Sequence, residues 1–162
     1  MPPIARRSAA PDVSPAERDA LKLWVILSRA YRAIEERATR DVAQHGLTLA
    51  EFGVLEALYH KGPMLLGEVQ RSLLVSSGGV TYLVDRLERR GLVRRDECAE
   101  DRRARYAVLT PDGEAFVRRV FPPHAAEVRK AVAALSRDEQ RALTGLLKRL
   151  GLGAAQAESA EE

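Results

Sequence analysis

Apolar positions along the chain recur at i, i+3, i+4 and i+7 almost throughout, interrupted by one short stretch of strict alternation. Ser14-Pro15-Ala16-Glu17 is a capping box with proline at the first helical position. It predicts a long helix running to about Gln44, where His45-Gly46 stops it. The segment LKLWVIL within that helix is apolar on more than one face, so the helix is expected to be buried by more than its own domain. Thr48-Leu49-Ala50-Glu51 opens a second helix whose Phe52, Leu55, Leu58 and Tyr59 share one stripe, and Lys61-Gly62-Pro63 ends it. A short third helix over about 65–73 buries Leu66, Val69 and Leu73.

In the next segment, VSSGGVTYLVDRLERRGLV, Ser76 or Ser77 is the N-cap and Val80, Leu83, Val84 and Leu87 form the core stripe. Gly91 closes this helix. Its other face carries Ser77, Gly78, Thr81, Tyr82, Asp85, Arg86 and Arg89. Small and hydroxyl residues in a first turn, with arginines behind, suit a helix that enters a DNA major groove by its N-terminus. Leu92–Arg95 and Arg105–Leu109 read as two strands, Tyr106 and Val108 alternating with Arg105, Ala107 and Leu109. The charged stretch DECAEDRRA between them becomes a hairpin tip. Thr110-Pro111-Asp112 starts another helix, for which Phe121-Pro122-Pro123 predicts a kink or a break. Ser136-Arg137-Asp138-Glu139 caps a last helix carrying Ala142, Leu143, Leu146, Leu147 and Leu150, expected to stop at Gly151.

This order predicts a mainly α fold with a small β-hairpin wing: a winged helix-turn-helix flanked by N- and C-terminal dimerisation helices. The expected division is a flexible arm over 1–13, an N-terminal dimerisation helix over 14–46, a winged DNA-binding module over 47–109, C-terminal dimerisation helices over 110–151 and a flexible tail over 152–162. Two-fold symmetry would pair two recognition helices, so the expected partners are a second copy of the chain and a palindromic double-stranded operator with half-sites about one helical turn apart.

Charge sharpens this picture. The chain has 162 residues and a formal net charge of +3. Between Arg86 and Arg105 lie eight arginines and five acids, a local excess equal to that of the whole chain. A concentrated arginine stripe is the footprint expected opposite an anionic polymer. The alternative is a winged-helix protein-interaction module without DNA binding, its arginines meeting an acidic protein. Catalysis is not expected: His45, His60 and His124 are scattered, and no phosphate loop, metal-ligand spacing or nucleophile set is present. No cofactor or metal is implied. The single cysteine excludes an internal disulfide, no apolar run is long enough for a membrane span, and MPPIARRSAAPDVSP lacks a secretory h-region, so the expected location is cytoplasmic.

Over about residues 20–151 the chain resembles the MarR family of bacterial transcription regulators. SSGGVTYLVDRLERRGLVRR, EDRRARYAVLTPDGE and LSRDEQRALTGLLKRL carry the resemblance, with Asp101-Arg102-Arg103, Leu109-Thr110 and Gly113 its most specific part. The resemblance implies that Arg103 of the wing reaches a minor groove, with Arg102 beside it and Asp101 bracing the wing; arginine exploits the negative potential concentrated there. It places Ser76, Ser77, Gly78, Thr81 and Tyr82 against bases and phosphates and Arg86 on a phosphate; for Tyr82 the alternative is packing across the helix surface. Arg94 and Arg95 are either phosphate contacts or flanks of a strand. Family members bind small aromatic or phenolic effectors, for which Trp24, Tyr31, Tyr59 and Phe116 are the candidate lining here. KGPMLLGEV and SSGGVTYLVDRLE are similar to members associated with quinone-like or electrophile stress. The peroxide-sensing branch uses a cysteine early in the first long helix, where this chain has none. Cys98, at the wing tip, is a candidate redox thiol beside arginines, opposed by Glu97, Glu100 and Asp101.

Overall fold

The computed structural model describes residues 13–73, 77–97 and 104–159, without the side chains of Ser77 or residues 157–159. Its elements in chain order are α1 (Pro15–Ala43), α2 (Leu49–Lys61), β1 (Met64–Leu65), α3 (Leu66–Leu73), α4 (Ser77–Arg89), β2 (Val93–Glu97), β3 (Arg105–Leu109), α5 (Pro111–Ala131) and α6 (Arg137–Ser159). Capping boxes at Ser14–Glu17 and Thr48–Glu51 start α1 and α2, each with the hydroxyl and the carboxylate reciprocally bonded to backbone N–H groups. Gly91, at φ 71°, ends the turn after α4 in a conformation that suits glycine.

The core lies among α2, α3, α4, α5 and the sheet. Phe52, Val54 and Leu55 of α2 meet Val69 of α3, Val80, Val84 and Leu87 of α4, and Val117 and Val120 of α5. The stripe expected on α4, Val80, Leu83, Val84 and Leu87, is buried throughout. The sheet is antiparallel with order β1-β3-β2. The wing pair runs from Val93 opposite Leu109 to Glu97 opposite Arg105. β1 was not expected: Met64 and Leu65 add a third strand beside Ala107 and Tyr106, making the wing the edge of a small sheet. Two residues are too few for a period-two signal.

Two other expectations are corrected. Of the kink or break expected at Pro122-Pro123, the break is absent: α5 is continuous from Pro111 to Ala131. The prolines remove two N–H donors, but the helix is anchored on both sides. Val117 and Val120 are buried before them, and after them His124 Nδ1 lies 2.8 Å from Asp41 Oδ2 of α1, its ring against Phe52. Nor does α6 stop at Gly151. Gly151 and Gly153 are not among the positive-φ glycines, and the helix-favouring run Ala154-Ala155-Gln156 carries it to Ser159.

Gly113 seats α5 on the turn after α4. A Cβ there would stand 2.0 Å from the Leu92 carbonyl oxygen. Thr110 completes the joint: its hydroxyl donates to Gly91 O at 2.6 Å and accepts from Gly113 N at 3.0 Å. The N-terminal half of α1 and the apolar stripe of α6 remain uncovered. Trp24 is 66% exposed and Leu146 57%, and Leu21, Leu23, Ile26, Leu143 and Leu150 are exposed with them.

Candidate nucleic-acid interface

At about 100° per residue, Gly78, Thr81, Tyr82, Asp85 and Arg89 fall on the side of α4 opposite the buried stripe. Gly78, Thr81, Tyr82 and Arg89 are exposed. Arg86 sits at the edge of this face, one turn after Tyr82, where its side chain can turn either outward or toward α2.

It turns toward α2. Glu51, the carboxylate of the second capping box, is fully buried. Its Oε2 accepts from Thr48 N at 2.7 Å, and its Oε1 lies 2.6 Å from Arg86 Nε. Burial pushes the Glu51 carboxyl up, but the Thr48 backbone and hydroxyl bonds and the Arg86 charge outweigh it, so the net direction is below the usual carboxylate range. Arg86 Nη1 in turn donates to Tyr82 Oη at 3.2 Å, and the guanidinium carbon lies 5.7 Å from the Tyr82 ring centroid. The hydrogen bond to Tyr82 and the charge of Glu51 hold Arg86 above its ordinary pKa.

Arg95 ties the wing to α4. Its guanidinium lies 2.6 Å from Asp85 Oδ1 and pairs with Glu88, whose carboxylate also accepts from Arg95 N at 3.1 Å. An acid on the outward face would repel a phosphate, so Arg95 both braces the wing and neutralises Asp85. Arg94 is more exposed and forms a bidentate pair with Asp96, both contacts 2.9 Å. Arg90 leaves the face altogether, donating to Gly46 O at 2.6 Å and His45 O at 3.1 Å.

Ser76, Cys98, Asp101, Arg102 and Arg103 lie outside the described residues, as does the side chain of Ser77. The candidate aromatic lining does not converge within one protomer. Trp24 and Tyr31 stand exposed on α1. Phe116 packs on His45 between Arg90 and Arg119. Tyr59 lines a cleft of about 400 Å³ with Leu58, Pro63, Val108 and Arg118. Sequence reasoning saw Glu51 as a cap and missed its contact with Arg86. Among the described residues there is no group of three or more His, Cys, Asp or Glu side chains that could hold a metal, and no helix long and apolar enough to cross a membrane.

A sequence profile of the MarR family matches residues 45–104, the segment that holds α2 through β2. The chain is 43% identical over 136 residues to the HTH-type transcriptional regulator MhqR of Bacillus subtilis, covering 84% of this chain and 94% of that one. The chain belongs to the MarR family. The relationship extends to solved MarR structures. Sco3205 of Streptomyces coelicolor, crystallised in complex with DNA, superposes with a TM-score of 0.79 at 26% identity, over 90% of this chain and 92% of that one. BpsR of Bordetella bronchiseptica, whose DNA binding is regulated by 6-hydroxynicotinic acid, gives 0.72 at 28% identity, over 78% and 90%. These MarR relatives are transcriptional regulators and not enzymes, and α2–α4 with the β2–β3 hairpin is the winged helix-turn-helix they share.

Proposed function

We propose that this protein is a homodimeric, sequence-specific DNA-binding repressor whose release from its operator is triggered by a small aromatic, phenolic or electrophilic effector. The observation that carries the reading is the outward face of α4. Gly78, Thr81 and Tyr82 are exposed on a helix whose opposite side is locked into the core, beside a wing braced by Arg95. That arrangement lets one rigid helix enter a major groove while the wing follows the backbone. The apolar faces of α1 and α6 support the dimer, because exposed Leu21, Trp24, Ile26, Leu143 and Leu146 are of the size and chemistry that a second copy would cover. Two recognition helices related by a two-fold axis read a palindrome whose half-sites lie about 34–36 Å apart. The cleft at Tyr59, lined by Leu58, Pro63 and Val108, supports a small aromatic effector.

The test is fluorescence anisotropy with duplexes selected from a random library, over a salt titration. Log K should fall steeply with log salt. Arg103→Ala should weaken binding and reduce the salt slope by about 2, one cation in each half-site, while leaving the dimer folded. Parent-level affinity in that variant would remove the wing from the reading. Absence of binding to any duplex at low salt would favour a protein-interaction module instead.

A further inference from the structure

We infer that Glu51 is a positioning residue for DNA binding: through Arg86 it holds the Tyr82 hydroxyl as a hydrogen-bond donor to an acceptor atom on the DNA. The inference rests on the DNA-binding reading of α4. Three side chains from two helices form one chain of contacts, Glu51 Oε1 to Arg86 Nε at 2.6 Å and Arg86 Nη1 to Tyr82 Oη at 3.2 Å. Glu51 is fully buried at the start of α2, and Tyr82 is 55% exposed on the outward face of α4.

A phenol has one proton to give and accepts at its oxygen. Arg86 occupies an acceptor position of Tyr82 with a charged donor, so the tyrosine proton is directed elsewhere. A phosphate oxygen, guanine N7 or O6, adenine N7 and thymine O4 are the acceptors a recognition helix meets. Stacking of the guanidinium near the ring limits the rotamers of Tyr82 before DNA arrives, which lowers the ordering cost of the contact. Arg86 is thereby reassigned. With a buried carboxylate 2.6 Å from its Nε and Tyr82 Oη on its Nη1, it acts as a strut rather than as a phosphate contact.

The sign of one substitution separates this arrangement from bulk electrostatics. Removing a negative charge from a DNA-binding protein ordinarily tightens binding. Glu51→Gln removes one, yet keeps a side-chain oxygen that can accept from Thr48 N in the capping box. Positioning predicts weaker binding. The experiment is anisotropy on the full-length protein with its selected duplex, comparing the parent, Glu51→Gln, Tyr82→Phe and the double variant, each first shown to melt cooperatively above the assay temperature. Each single variant should lose about tenfold in affinity, the order expected for one hydrogen bond in each half-site. The double variant should lose about as much as either single variant, and the salt slope should stay at the parent value. Equal or tighter binding by Glu51→Gln, or losses that multiply to about a hundredfold, would overturn the inference. Should Glu51→Gln fail to fold, Arg86→Lys serves instead: a lysine keeps the charge but cannot span both partners, and parent-level affinity would again overturn it. A Tyr82→Phe loss uniform over duplex sequences marks a phosphate acceptor, and one confined to a single base pair marks a base edge. If the parent binds no duplex, the DNA-binding reading falls too; if Arg103→Ala weakens binding and Glu51→Gln does not, only the positioning role falls.

Discussion

Replacing Gly113 with alanine tests the joint on which the wing and α5 both depend. The added Cβ would stand 2.0 Å from the Leu92 carbonyl oxygen, 2.9 Å from its carbon and 3.2 Å from Leu109 Cδ2. Ordinary contact begins near 3.4 Å, so backbone must move by more than an ångström. The carbonyl cannot retreat freely, because it accepts from Thr110 N at 3.1 Å, and the Thr110 hydroxyl is held by Gly91 O and Gly113 N. Overpacking of this kind costs about 1–3 kcal/mol. Losing one or two of the cap bonds adds about 1 kcal/mol each, and the better helix propensity of alanine returns at most about 1 kcal/mol. The net expectation is a loss of about 3 kcal/mol, or about 6–12 °C in Tm for a chain of this length. Thermal and urea unfolding followed by far-UV circular dichroism, at one protomer concentration, measure it. Gly145→Ala is the internal control: nothing lies within 4 Å of its Cβ position, so the same change should stabilise by about 0.5–1 kcal/mol. If Gly113→Ala falls within about 0.5 kcal/mol of the parent, α5 is not seated on the Leu92 carbonyl as described.

Two further outcomes follow from the same geometry. Leu146→Arg places a charge in the exposed apolar stripe of α6, so light scattering should show a folded monomer mass where the proposed dimer is expected of the parent; a dimer persisting in the variant at micromolar concentration would count against that interface. The lowered pKa of Glu51 means that its contribution is complete above the usual carboxylate value of 4.5 and is lost as pH falls through the lower folded value. Glu51→Gln should therefore be less stable than the parent by about 1–3 kcal/mol at neutral pH, a gap that closes in acid. Melting curves at several pH values read that gap, and one that stays constant or widens in acid would show that Glu51 is not held ionised.

What the sequence disclosed depended on how far apart the interacting residues lie. The core stripe of α4 and the caps of α1 and α2 are short-range patterns, set by helix pitch and by hydroxyl–carboxylate pairs three residues apart, and these are found in place. The apolar surplus of LKLWVIL was also legible, and among the described residues no other element covers it. The break allowed at the prolines of α5 and the stop expected at Gly151 of α6 do not occur, for the opposite reason. A local breaker signal was weighed without the Asp41–His124 bond, whose partners are 83 residues apart, or without the helix-favouring run beyond Gly151.

Glu51 combines both cases. One oxygen does local work that a four-residue pattern reveals, while the other faces Arg86 on a different helix. A capping glutamate needs no burial and no cation, since Glu17 caps α1 while exposed to solvent. Burying a carboxylate costs several kcal/mol unless it is paired, so the full burial of Glu51 is a cost that the cap alone does not require. The fold bears it at the one place where the paired arginine reaches the exposed tyrosine of the recognition helix. A surface hydrogen bond between Arg86 and Tyr82 would be free to exchange with water; under the proposed positioning role, anchoring Arg86 to a buried charge narrows the geometries open to the Tyr82 hydroxyl. The energetic expense at Glu51 thus coincides with the exposed group that the proposal assigns to DNA readout, a task that requires fixed donors and acceptors.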